Sequence, residues 1–145
     1  MMRIRDVLDR KGKDVVTVGP DHTVHDAMRV LVEHNIGSVV VTDGARIVGI
    51  LTERDVLRLG AAAPSTLGDE RVGEVMTTEL VVGVPEDSVD YAAGVMTENR
   101  IRHLPIVEGE RLAGVLSIGD VVKAMKQATE VENRYLRDYI RGAVR

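Results

Sequence analysis

The chain has 145 residues, enough for one compact domain or for two small ones that lean on each other. Its net charge of −4 provides no overall attraction to nucleic acid or anionic membrane, and the lack of cysteine excludes a disulfide framework, a thiol nucleophile and a Cys-based zinc site. With no Trp or Phe and only Tyr91, Tyr135 and Tyr139, stacking platforms for single-stranded nucleic acid have almost nothing to be made from. The start, MMRIRDVLDRKG, is charged throughout, and no apolar run approaches the roughly 20 residues a membrane helix needs. The expectation is a soluble, cytoplasmic protein with a core of Val, Leu, Ile, Ala and Met.

In chain order, RDVLD is a short lead-in, and DVVTV is a β-rich stretch that ends before Pro20. Asp21 to His34 places Val24, Ala27, Met28 and Leu31 at helical spacing. SVVVTDGARIVGILT reads as a hairpin turning at Asp43-Gly44, after which Thr52 caps a second helix, Glu53 to Leu59. Asp55 stands three residues beyond Thr52, as in a capping box. GAAAPSTLGDERVG has linker composition.

The same order then recurs. GEVMT is a second lead-in, ELVVGV a second β-rich stretch, and Asp87 to Asn99 a helix with Val89, Ala92, Ala93 and Met96 on one face. HLPIVEGERLAGVLS is a second hairpin, and Ser117 caps a helix from Ile118 to Met125 with Asp120 three residues on. Past it, Ala128, Val131, Tyr135 and Tyr139 fall at helical spacing and predict an amphipathic terminal helix. Arg134, Arg137, Arg141 and Arg145 suit its C-terminal end electrostatically. Such a helix fits packing on its own module or a second subunit better than nucleic-acid binding.

A shift of 65 positions aligns Pro20–Val56 with Pro85–Val121 without a gap, roughly a third of the pairs being identical. Among them are Gly44/Gly109, Gly49/Gly114, Leu51/Leu116 and Asp55/Asp120. The reading is an α/β (α+β) chain of tandem βαββα repeats: 1–60, a linker at 61–71, 72–127, and a terminal helix at 128–145. Units of this size bury too little alone, so the repeats are expected to pack sheet to sheet with pseudo-twofold symmetry.

Chemistry concentrates in GILTERD and its copy GVLSIGD. An N-terminal helix end offers unpaired N–H groups to a phosphate, a cap hydroxyl adds a hydrogen bond, and an acid one turn on accepts ribose hydroxyls. Thr-x-x-Asp is equally an ordinary helix cap, so residue types alone leave both readings open. His22 and His25, with Asp21 and Asp26, read as surface residues at a helix start rather than metal ligands, as do His34 and Glu33. Ser38, Ser65, Ser88 and Ser117 lack the His and Asp partners of a triad, so no enzyme is expected.

The doubled lead-ins DVLD and EVMT, the Pro-led helices PDHTVHDAM and PEDSVDYAA, and the strings GILTERD and GVLSIGD together resemble a pair of CBS domains, the Bateman module. The resemblance runs from Asp6 to about Met125, and nearest to it are the small members that are little more than one pair. It implies an adenosine-nucleotide site, with Thr52 and Ser117 on phosphate and Asp55 and Asp120 on ribose. Arg102 and His103 form a phosphate-facing pair where the first repeat has Gly37 and Ser38. Arg54, whose counterpart is Gly119, serves the first site or reaches across the cleft. Thr17 and Ile36 in the first repeat, and Val81, Ile101 and Pro105 in the second, complete the expected sites. The second site is favoured for AMP, with ATP and NAD(H) as alternatives and no required cofactor. The implied function is a non-catalytic sensor, homodimeric and acting on an unknown partner. The rival readings are a structural module with vestigial sites and a nucleic-acid-binding CBS protein.

Overall fold

The computed structural model describes residues 1–12 and 15–140, the side chains of 138–140 excepted; Arg141 and Arg145 of the terminal arginine series, and the Tyr139 side chain, lie outside the described residues. Helix α1 spans Ile4–Lys11, strand β1 Thr17–Val18, α2 Val24–Glu33, β2 Ser38–Asp43, β3 Arg46–Thr52 and α3 Glu53–Ala62. After a short turn of 3-10 helix at Pro64–Thr66 come α4 Val72–Val75, α5 Val89–Asn99, β4 His103–Glu108, β5 Arg111–Ser117 and α6 Ile118–Ile140.

Local chemistry sets these boundaries. The predicted helix start at Asp21 moves to Val24 because Thr23 is the cap: its hydroxyl accepts from Asp26 N at 3.1 Å, and Asp26 Oδ2 accepts from Thr23 N at 3.0 Å. The residues before it form a turn, with Gly19 N donating to His22 Nδ1 at 2.8 Å. In the second repeat Asp87 does the same for Val84 N at 3.0 Å, and Ser88 caps α5 through Tyr91 N at 3.0 Å. His22 is therefore a turn former.

The two-residue hairpin loops place Gly44 at φ +63° and Gly109 at φ +65°, a backbone that side chains disfavour. Helices α2 and α5 likewise end on left-handed residues, Asn35 at φ 51° and Arg100 at φ 55°.

The two hairpins join edge to edge through Arg46↔Arg111, giving one five-stranded sheet of order β1-β2-β3-β5-β4. The joint is symmetric: Ile47 N donates to Glu110 O at 3.2 Å, and Leu112 N to Ala45 O at 3.0 Å.

ELVVGV departs from the expected strand. It keeps one parallel bridge, Gly83↔Ile106, matching Val18↔Val41 in the first repeat. Gly83 N donates to Pro105 O and Val107 N to Gly83 O, both at 2.9 Å. The next rung needs an N–H at 105, and proline has none. The helix expected to stop at Met125 also differs: α6 continues unbroken to Ile140, so the terminal stripe is an extension of it. No Gly or Pro lies between Val121 and Ile140 to stop it.

The lead-ins are exchanged. Ile4, Val7 and Leu8 of α1 belong to the core of the second repeat, with Val89, Ala92, Met96, Leu104, Ile106, Leu116, Val121 and Ala124. Val72, Val75 and Met76 around α4 belong to the first, with Val18, Ala27, Leu31, Val39, Val41 and Leu51. A fully buried aliphatic side chain contributes about 1.5–3 kcal/mol, so each repeat's core is completed by a segment carried from the other.

The exchange accounts for the glycines that open GILTERD and GVLSIGD. A methyl group on Gly114 would lie 2.9 Å from Leu8 Cδ2 and 3.2 Å from Cδ1. On Gly49 it would lie 2.7 Å from Met76 Cγ and 3.1 Å from the Thr77 carbonyl. Each strand omits a side chain where the exchanged lead-in crosses it.

Candidate functional site: a cleft between the repeats

A cavity of about 260 Å³ opens between the repeats. Ile36, Ser38 and Val40 wall it from the first repeat, His103, Val115 and Ser117 from the second, and Lys11 at the end of α1 with Gly12, Val15 and Val16 beyond it. Ser38 and His103 stand 65 positions apart, at equivalent places in the two strands that enter the cleft.

Both acid strings are capping boxes. Asp55 N donates to Thr52 Oγ1 at 3.1 Å and Thr52 N to Asp55 Oδ2 at 2.9 Å. Asp120 N donates to Ser117 Oγ at 3.1 Å and Ser117 N to Asp120 Oδ2 at 2.8 Å. The carbonyls of Gly37 and Arg102 each accept the first helical N–H, from Glu53 at 2.9 Å and Ile118 at 2.8 Å. The hydroxyl and acid of each string thus each accept from the other residue's backbone N–H across one helical turn, the geometry of a helix cap.

The two strings differ in their surroundings. The Lys11 ammonium donates to Asp120 Oδ2 at 2.6 Å and to the Val115 carbonyl at 2.9 Å. This pair is only partly exposed, at 36% and 20% for the two side chains. Burial disfavours the charged form of Asp120, but Lys11 and the Ser117 N–H and hydroxyl outweigh it and hold the carboxyl below its ordinary range. In the first repeat the carbonyl equivalent to that of Val115 is that of Ile50, and it accepts from Thr77 N at 2.9 Å. Among the described residues Asp55 makes no ion pair. His103 is pushed below its ordinary value by burial and by Lys11 and Arg102, with Asp120 opposing.

Of the residues singled out from sequence, Ser117, His103, Ser38 and Ile36 meet on the cavity wall. Asp120 stands behind Lys11, Arg102 is exposed, and Gly37 closes against the Glu53 carboxylate. Ile101 and Val81 pack against the second core, and Pro105 is buried opposite Val115. Thr52, opposite Ser38 in the hairpin, and Asp55 cap α3 without lining this cavity, with Arg54 exposed beside them. Thr17 opens on a separate depression with His22, Asp26 and Arg29. Lys11, Val15, Val16, Val40 and Val115 also line the cavity wall, without a motif that marks them in the sequence. Lys11 lies 109 residues from Asp120, and no local spacing signals a contact made by lead-in exchange.

Among the described residues no cluster of His, Asp and Glu could hold a metal, and no helix is long and apolar enough to cross a membrane.

Comparison with known proteins agrees with this architecture. The chain is 37% identical over 148 residues to the mitochondrial CBS domain-containing protein CBSX3 of Arabidopsis thaliana, covering 96% of this chain and 72% of the relative. A crystal structure of a CBS-domain containing protein from Agrobacterium tumefaciens superposes with a TM-score of 0.79 at 44% identity, covering 86% of this chain and 99% of that one. The crystal structure of CBSX2 in complex with AMP superposes with a TM-score of 0.76 at 27% identity, covering 89% and 99%. The CBS domain family model matches residues 4–62 and 72–127, and the chain belongs to that family as a tandem pair.

Proposed function

We propose that this CBS pair is a non-catalytic regulatory module that binds an adenosine nucleotide between its repeats and passes the occupancy of that site to a partner protein. The observation that carries the reading is the cavity walled by both repeats, with the Ser117 hydroxyl, His103 and a cationic side chain on one wall and Ile36, Val40, Val15, Val16 and Val115 around it. An apolar slot with a few convergent polar groups suits a base attached to a ribose and a phosphate. A similar pair, CBSX2, has been solved with AMP, which supports AMP as the first ligand to test. In this reading Ser117 and the start of α6 take the phosphate, assisted by His103 and Arg102, and Asp120 takes the ribose. Thr52, Arg54 and Asp55 would form the weaker, first-repeat counterpart.

A ligand that touches both repeats prefers one arrangement of them and shifts that equilibrium by its differential affinity. The same reading includes a homodimer, because α5 and α6 expose Tyr91, Ile118, Val122 and Met125. A monomer in light scattering at every concentration, with and without AMP, would remove that part.

The principal test is calorimetric titration with AMP of the wild type and Asp120→Asn. Loss of a charge-assisted ribose contact weakens binding by roughly ten- to a hundredfold. Equal affinity in the two proteins means the string is a helix cap alone. No thermal shift with AMP, ADP, ATP or NAD(H) at millimolar concentration refutes the sensing function.

A further inference from the structure

We infer that Lys11, delivered by the exchanged lead-in, makes the second-repeat half of the cleft selective for an anionic, phosphate-bearing nucleoside over a neutral or sulfonium-bearing one. This inference rests on the nucleotide-site reading and names the ligand class that the site accepts.

Three observations carry it. First, Lys11 lines the cavity beside Ser117 and His103, whereas Asp120 lies behind it. The ammonium and the Ser117 backbone N–H share a single acceptor, Asp120 Oδ2, at 2.6 and 2.8 Å. A phosphate at the Ser117 hydroxyl is therefore within reach of a flexible four-carbon stem. Second, the pair is partly desolvated, so its charges act on a ligand with less screening than surface ions do. A ribose hydroxyl that bonds to Asp120 competes with Lys11 for the carboxylate. A phosphate on the same ligand offers the displaced ammonium a new partner. A neutral nucleoside offers none, and a sulfonium adds repulsion.

Third, the molecule contains its own comparison. Leu8 crosses Gly114 as Met76 crosses Gly49, and three residues beyond each stand Lys11 and Glu79. Helix α4 ends at Val75, so the chain has left the helical path there, and at the same count from the crossing the first repeat carries an exposed acid and no cation. The carbonyl that Lys11 satisfies in the second repeat is satisfied in the first by a backbone N–H, so no cation is needed there for structure. The charge at position 11 holds the Val115 carbonyl and Asp120 as well as facing the cavity, and it is specific to one half of the cleft.

The test is calorimetric titration of the wild type, Lys11→Met and Lys11→Arg with AMP, adenosine and S-adenosylmethionine. The wild type should prefer AMP. Lys11→Met should lose roughly ten- to a hundredfold in AMP affinity while binding adenosine as well or better, because the competitor for Asp120 has gone. Adenosine binding also reports that the site is intact in that variant. Lys11→Arg should keep the preference. An AMP-to-adenosine ratio in Lys11→Met within about threefold of wild type overturns the inference and leaves the nucleotide site standing, as does loss of the preference in Lys11→Arg. A wild type that binds none of the three ligands overturns the nucleotide-site reading, and this inference with it.

Discussion

The contact between Leu8 and Gly114 permits a quantitative test of the lead-in exchange. Leu8 is 3% exposed in the second core, and its removal to alanine costs about 2–5 kcal/mol through lost transfer energy and the cavity left behind. Gly114→Ala inserts a methyl 2.9 and 3.2 Å from the two Leu8 methyls. Such overpacking costs about 1–3 kcal/mol, offset by less than 1 kcal/mol because alanine is better than glycine in a strand. Gly114 lies beside a register shift in the hairpin but does not have a positive φ, so no left-handed backbone penalty is added. In the double variant the new methyl enters space vacated by Leu8. The combined cost should therefore fall short of the sum by at least about 1 kcal/mol, beyond the few tenths expected for independent sites. Urea unfolding of the four proteins, followed by far-UV circular dichroism at one protein concentration, supplies the cycle. Additivity within about 0.5 kcal/mol would show that α1 does not lie across β5, and would refute the exchanged arrangement.

Other outcomes follow from single residues. Arg100 ends α5 at φ 55°, so Arg100→Gly should stabilise the protein by up to about 1 kcal/mol, read as a raised urea midpoint; an unchanged or lower midpoint contradicts the left-handed cap. His103 is held below its ordinary value of about 6.5, so the unfolded chain takes up the proton first; stability is complete above that value and declines as pH falls through it toward the lower folded value. His103→Gln should flatten the decline that sets in as pH falls through about 6.5, and a profile identical to wild type would contradict it. Asp120 acts at lower pH: its stabilisation is present above about 3.9 and lost as pH falls through its depressed folded value. Asp120→Asn and Lys11→Met, titrated as above, separate ribose acceptance from phosphate selection.

The repeat, the order of helices and strands, the hairpins and the Thr52 and Ser117 caps could be read from sequence because each depends on residues within a few positions of one another; the equally local Thr23 cap lies inside the helix expected from Asp21. Thr52 finds Asp55, Ser117 finds Asp120, and Gly44 turns its hairpin wherever the rest of the chain lies. The shift of 65 likewise exposes equivalent positions without reference to space. ELVVGV, with the composition of a strand, keeps only one bridge, and the cause lies in HLPIVE: strand formation there depends on the partner's N–H groups, and position 105 is proline. α6 runs past the repeat boundary because that boundary is no barrier to a helix whose residues all tolerate one.

What only the tertiary structure decided is which lead-in completes which core, and hence which charge enters which half of the cleft. Leu8 covers Gly114 and Lys11 reaches Asp120 across more than a hundred residues, contacts set by packing area and not by any periodicity in the chain. A glycine in a strand signals close approach but not what approaches. The acid of the second string was legible from its spacing, whereas the lysine on it required two distant segments to be packed together.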